Sequence, residues 1–154
     1  IPRKKSDKVV FTLTACPKDE RDRYIIDTLL KSYKEVYFWP QGGADYDYLM
    51  RFDGIDKIKI LEATKEAYDD FLTHNDTDYV GTRLHGGVYA MRHGRRAIII
   101  AIDERAREIN KCNNLNCIDK NNIYDLEALI KSEFATEIKM NFDAINTWRS
   151  QFLK

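Results

Sequence analysis

Cysteine is scarce in this chain and net charge is absent. The 154 residues hold 3 cysteines, an odd and sparse count that excludes a disulfide framework and fits a reducing compartment. Cys112 and Cys117 have no second pair of ligands to complete a zinc site and read as ordinary thiols. Lys+Arg and Asp+Glu each number 25, so a broad polyanion-binding surface is not expected, nor nucleic acid as a partner, although a local basic pocket remains open. The longest apolar run, residues 97–102, falls far short of the roughly 20 residues that cross a bilayer. No transmembrane segment is expected, and a cytoplasmic location is. No GxGxxG or Walker A loop occurs, so no dinucleotide or P-loop claim follows. Internal repeats, low-complexity tracts and an assignable Ser/His/Asp or Cys/His triad are missing too.

What is present is a regular alternation of strand and helix patterns. Apolar residues make up 44% and charged residues 32%, which suits a globular domain with a full core. Strand patterns fall at residues 9–13, 36–39, 58–61, 79–80 and 97–102, with a marginal one at 117–118. Helical spacing starts at Asp19 or Asp22 and recurs over 45–51, 65–73, 84–93, 105–111 and 125–131. Phe134, Ile138, Phe142, Ile145, Trp148 and Phe152 form one stripe on a long amphipathic C-terminal helix, residues 134–153. The expectation is an α/β domain spanning 1–154, a doubly wound, Rossmann-like parallel sheet with helices on both faces. Ile1 in place of an initiator Met leads us to expect a piece of a longer protein.

Such sheets bind ligands outside the carboxyl ends of their strands. That rule selects the loops 14–18, 40–45, 62–64, 81–87 and 103–105, and the best of these is 81–87, where Arg83 and His85 stand at a helix entrance before Gly86 and Gly87. A helix start offers N–H groups and the positive end of a dipole. Arg83 adds a fork for carboxylate or phosphate, and His85 a donor or general acid. The two glycines, each costing roughly 1 kcal/mol in a helix relative to Ala, would admit a ligand or serve tight helix–strand packing. One unit later Arg105 sits at a helix start where a cation is electrostatically misplaced; an anion site and a solvated pair with Asp103 or Glu108 stand equal. Gln41, in Gln41-Gly42-Gly43, belongs to a tight turn and is a modest ligand contact. Glu62 is a possible general base or a capping residue. His93, at a helix C-terminus, reads as structural, and His74 as solvent-exposed.

The segment Thr82-Arg-Leu-His-Gly-Gly-Val-Tyr-Ala-Met-Arg-His-Gly-Arg-Arg-Ala-Ile-Ile-Ile100 resembles the polysaccharide pyruvyl transferase family. That family carries Ser/Thr-Arg-x-His-Gly-x-x-x-Ala-x-x-x-Gly-x-Pro-x-Ile-x-Ile, then a polar turn with a basic residue. The likeness is sharp over residues 78–108 and a generic βα pattern elsewhere. It implies one half, the C-terminal one, of a GT-B-like enzyme with two Rossmann-type domains, the N-terminal domain being absent here and the fragment inactive alone. It implies phosphoenolpyruvate as donor substrate, no separate cofactor or metal, and a saccharide acceptor that receives a pyruvyl ketal, in surface polysaccharide (exopolysaccharide) biosynthesis. The family's Arg-x-His pair maps onto Arg83 and His85, which would hold the donor's carboxylate and phosphate, with His85 transferring a proton. Arg105 corresponds, more loosely, to the basic residue of the next turn. Arg96 stands where many members have Pro, a difference expected to be structurally minor. Two other functions fit the same pattern: a GT-B glycosyltransferase domain using a nucleotide-sugar donor, and a non-catalytic ligand-sensing domain.

Overall fold

The computed structural model describes residues 2–3, 5–14, 20–101, 117–131 and 134–135. In chain order the elements are β1 (Pro2–Arg3), β2 (Lys8–Thr12), α1 (Arg21–Ser32), β3 (Glu35–Phe38), α2 (Gly43–Leu49), β4 (Ile58–Ile60) and α3 (Lys65–His74). Then come β5 (Asp78–Gly81), α4 (Leu84–Arg92), β6 (Ala97–Ala101), β7 (Cys117–Asp119), a 3-10 segment (Lys120–Asp125), α5 (Leu126–Lys131) and β8 (Phe134–Ala135). Six strands form one sheet in the order β4-β3-β2-β5-β6-β7, every neighbouring pair parallel. This is a Rossmann-like α/β fold. The chain runs outward from β2 to β4, then returns to lay β5 on the other side of β2. The strand order therefore reverses between β2 and β5, and sheets of this kind carry their ligand crevice at the carboxyl ends of the strands at such a reversal.

Alternation along each strand feeds two cores. Val9 and Phe11 of β2 and Ile98 and Ile100 of β6 pack with Ile25, Ile26 and Leu29 of α1, Leu49 of α2, and Leu126 and Ile130 of α5. Val10, Tyr79, Ala97 and Ile99 point to the opposite face, against Tyr68, Phe71 and Leu72 of α3 and Leu84, Val88 and Met91 of α4. All five residues of β6 are buried, which is why its sequence is continuously apolar rather than alternating. Each fully buried Ile contributes about 1.5–3 kcal/mol relative to exposure. Among the described residues no helix is long and apolar enough to cross a membrane.

Three expectations need correction. Phe134 and Ala135 do not open a helix: they form β8, paired antiparallel with Pro2 and Arg3 of β1. The rest of the expected helix, 136–153, lies outside the described residues, as do Arg105, Cys112 and the helix expected at 105–111. Helix α2 starts at Gly43 and ends at Leu49, earlier at both ends than the expected 45–51.

Arg96 is the third. Its role is not structurally minor: it is 2% exposed and lies where β6 begins. Its Nη1 donates to Asp78 Oδ2 at 2.9 Å, and its Nη2 donates to the carbonyls of Leu129 and Ile130, near the end of α5, where a cation complements the dipole. The Tyr33 hydroxyl donates to the same Asp78 oxygen at 2.6 Å. Burial pushes the Asp78 carboxyl above its ordinary value, opposed by the bonds from Tyr33 and Arg96. The network ties β5, β6 and α5 together at the amino end of the sheet, opposite the crevice.

Candidate functional site at the carboxyl ends of β3 and β5

The turn from β5 into α4 is held by a closed ring of hydrogen bonds. Arg83 N donates to Thr12 Oγ1 at 3.4 Å, and the Tyr79 hydroxyl donates to Arg83 O at 2.7 Å. Thr12 Oγ1 and the Tyr79 hydroxyl are 2.6 Å apart; since a carbonyl only accepts, Tyr79 spends its proton on Arg83 and Thr12 must donate to Tyr79. Burial raises the Tyr79 pKa, so the phenol stays protonated and the ring intact. Thr14 and Thr82 add a hydroxyl pair at 2.8 Å. A Cβ on Gly81 would lie 2.2 Å from Thr12 Oγ1, so only glycine ends β5 here. Both sides of the strand-order reversal are thereby clamped, and Arg83 is fixed as the extended N-cap of α4 (φ −94°, ψ 104°) with no side chain capping the helix start.

Arg83 points back across the crevice. Its Nη2 donates to Asp45 Oδ1 at 3.0 Å and Oδ2 at 3.2 Å. Asp45, near the start of α2, is buried and also accepts from Gln41 N at 3.1 Å. The Arg83 Nε is buried and has no hydrogen-bond partner among the described residues. The expected anion fork is thus half engaged by an internal carboxylate, with one buried donor left to satisfy.

Gly86 and Gly87 answer to packing. A Cβ on Gly87 would meet Ile99 Cγ1 at 2.8 Å and the Tyr79 ring at 3.1 Å, and one on Gly86 would meet the Tyr79 hydroxyl at 3.0 Å. Glycine here lets α4 lie close on β5 and β6. Ligand access is therefore not what Gly87 provides; it faces the sheet.

His85, Gly86 and Gln41 line a cavity of about 210 Å³ beside this turn. Trp39, Tyr68 and Tyr89 form its aromatic wall, and Lys65 lines it too. The Trp39 and Tyr68 rings are stacked, 4.0 Å between centroids and 6° from parallel. Each is pinned at its polar end: Trp39 Nε1 donates to Thr64 O at 3.0 Å, and the Tyr68 hydroxyl to Gly86 O at 2.7 Å. Burial pushes the Tyr68 hydroxyl well up, so it remains a donor. Tyr89 donates to Asp69 Oδ1 at 2.8 Å, and His93 Nε2 lies 3.0 Å from the same oxygen. His93 therefore supports the cavity wall from behind. His74 is exposed beside Asp70. Thr64, not Glu62, caps α3, accepting from Ala67 N at 3.1 Å.

The fold brings Gln41 and His85 to one cavity, and Arg83 to the neighbouring crevice through Asp45. Three features escaped the sequence: the partnership of Asp45, in the selected loop 40–45, with Arg83, the aromatic wall, and Lys65. Nothing local marks Asp45 as the partner of a residue 38 positions away. The one signal for the wall was the aromatic content of Trp39, directly after β3, and Tyr68, in the first turn of α3. Among the described residues no group of three or more His, Cys, Asp or Glu side chains could hold a metal. Chemically, the cavity offers an imidazole and an ammonium beside an apolar wall, with the Arg83 guanidinium held on Asp45 next to it, a combination suited to a compact anion. No family model, curated protein or solved structure matches this chain.

Proposed function

We propose that this chain is the donor-binding domain of a polysaccharide pyruvyl transferase, moving a pyruvyl group from phosphoenolpyruvate to a sugar of a cell-surface polysaccharide. One observation carries the reading: the Arg83–Leu84–His85 motif lies at the strand-order reversal, with His85 lining a cavity of about 210 Å³. Pockets for drug-sized ligands and cofactors run to about 300–1,000 Å³. A three-carbon phosphate ester suits the smaller space better than a nucleotide sugar does.

In the proposed reaction, protonated His85 gives its proton to the methylene carbon of the enol phosphate, which becomes a methyl group. The adjacent carbon turns electrophilic, and one sugar hydroxyl bonds to it, losing its proton. A second hydroxyl replaces the phosphate, which leaves as inorganic phosphate, and the ketal is complete. Arg83, held beside the cavity, stabilises the donor's negative charge. A second Rossmann-type domain of a GT-B-type enzyme would bring the acceptor.

Calorimetric titration of the chain with phosphoenolpyruvate and with a panel of nucleotides and nucleotide sugars tests this. Saturable phosphoenolpyruvate binding, lost in Arg83→Ala and His85→Ala, is expected. Nucleotide binding with no phosphoenolpyruvate response would assign a glycosyltransferase donor site instead.

A further inference from the structure

The residues lining the cavity include a lysine that the motif does not contain. Lys65 is the first residue of α3, following the Thr64 cap, and a cation is electrostatically misplaced at a helix start. It contributes to the cavity together with His85, the second residue of α4. Its Nζ stands 5.4 Å from the centroid of the Tyr89 ring, in cation–π range. No carboxylate is among the residues that line the cavity. Asp45 already engages the Arg83 guanidinium, and Asp69 is taken up with Tyr89 and His93 behind the wall. The lining itself therefore offers Lys65 no carboxylate partner.

We propose that Lys65 is a phosphate-binding residue of this site, holding the phosphoryl end of the donor from the α3 side while His85 and the crevice at Arg83 take the carboxylate-bearing end. This rests on the phosphoenolpyruvate reading above. A phosphomonoester is close to a dianion at neutral pH, so a lysine point charge suits it. The stacked Trp39 and Tyr68 give the three-carbon unit an apolar surface. The site then recognises both ends of the donor and discriminates against anions that have only one.

The test is titration of the wild-type chain and of Lys65→Ala, Lys65→Arg and Lys59→Ala with phosphoenolpyruvate, inorganic phosphate and pyruvate, at fixed ionic strength. Circular dichroism checks that each variant is folded. Lys65→Ala is expected to weaken phosphoenolpyruvate and phosphate by about tenfold, the scale of one charge-assisted hydrogen bond, and to leave pyruvate unchanged. Lys65→Arg should restore most of the loss. Lys59→Ala, which removes a lysine paired with Glu35 outside the cavity, should change nothing. Wild-type affinity for phosphoenolpyruvate in Lys65→Ala overturns the role of Lys65 and leaves the donor assignment standing. Equal losses in Lys59→Ala and Lys65→Ala also overturn it, as general charge screening. Phosphate binding that depends on Lys65, with no preference for phosphoenolpyruvate, supports the residue and sinks the donor. Failure of all three probes to bind the wild-type chain overturns both.

Discussion

The Arg83 guanidinium rests on the Asp45 carboxylate, its Nη2 3.0 Å from one oxygen and 3.2 Å from the other. Asp45 lies in the first turn of α2, after β3, and Arg83 caps α4, after β5, so the pair bridges the two sides of the strand-order reversal, where sheets of this kind bind ligands. Asp45 orients the guanidinium and at the same time offsets its charge. A ligand anion must either displace Asp45 or bind beside it, and both routes carry a like-charge cost.

Asp45→Asn should therefore tighten phosphoenolpyruvate binding, by about fivefold or roughly 1 kcal/mol. Asn keeps an oxygen to accept from Gln41 N, so the turn has its anchor in the variant. Titration calorimetry reads the dissociation constant directly. Weaker binding would mean that Asp45 serves only to aim Arg83 and does not compete with the ligand.

The glycine pair gives a graded stability series. In an exposed helix Gly→Ala gains about 1 kcal/mol, but overpacking a core costs about 1–3 kcal/mol. At Gly86 the nearest contact of a new Cβ is 3.0 Å, so the two effects should nearly cancel; at Gly87 it is 2.8 Å, to Ile99, and a net loss is expected. Gly81→Ala, at 2.2 Å from Thr12 Oγ1, should be the most damaging of the three, because it also breaks the hydrogen-bond ring around Arg83. Urea denaturation midpoints rank them. A Gly87→Ala variant as stable as wild type would contradict the packing account.

Replacing Arg96 by Met should cost about 3–5 kcal/mol, since it leaves Asp78 buried without its cation. The pH dependence has a defined sign. Burial already raises the Asp78 pKa, and without Arg96 it should rise further. A carboxyl whose folded pKa is raised contributes its stability fully below the unfolded value, about 3.9, and loses it as pH rises through the folded value. The stability gap between Arg96→Met and wild type should therefore be smallest near pH 4 and widen toward neutrality. Combining it with Asp78→Asn should remove most of that pH dependence. Denaturant unfolding at a series of pH values measures both, and a gap that narrows with rising pH would refute the assignment.

Much of the fold was legible from local pattern. Val9, Val10 and Phe11 announced a strand, Gly94 ended α4 as expected with a positive φ of 74°, and the continuous run from Ala97 declared a strand covered on both faces. Those features depend on neighbours in sequence. The C-terminal stripe misled at its first step because Phe134 pairs with Arg3, a partner that no periodicity within 134–153 could reveal. Arg96 misled for a similar reason. Its partners, Asp78, Leu129 and Ile130, lie 18 to 34 residues away, and no count of local charge locates them.

The sequence by itself determined the strand–helix alternation, the turn that carries Arg83 and His85, and the balance of charge that leaves room only for a local basic site. These follow from residue order and short-range spacing. Tertiary structure alone decided that Asp45 meets Arg83, that Gly87 faces Ile99 rather than a ligand, and that Lys65 and His85 share one aromatic-walled cavity. The parallel crossovers of the sheet gather the carboxyl ends of β3 and β5, and the turns after them, at one edge, and only that long-range pairing turns distant residues into a site.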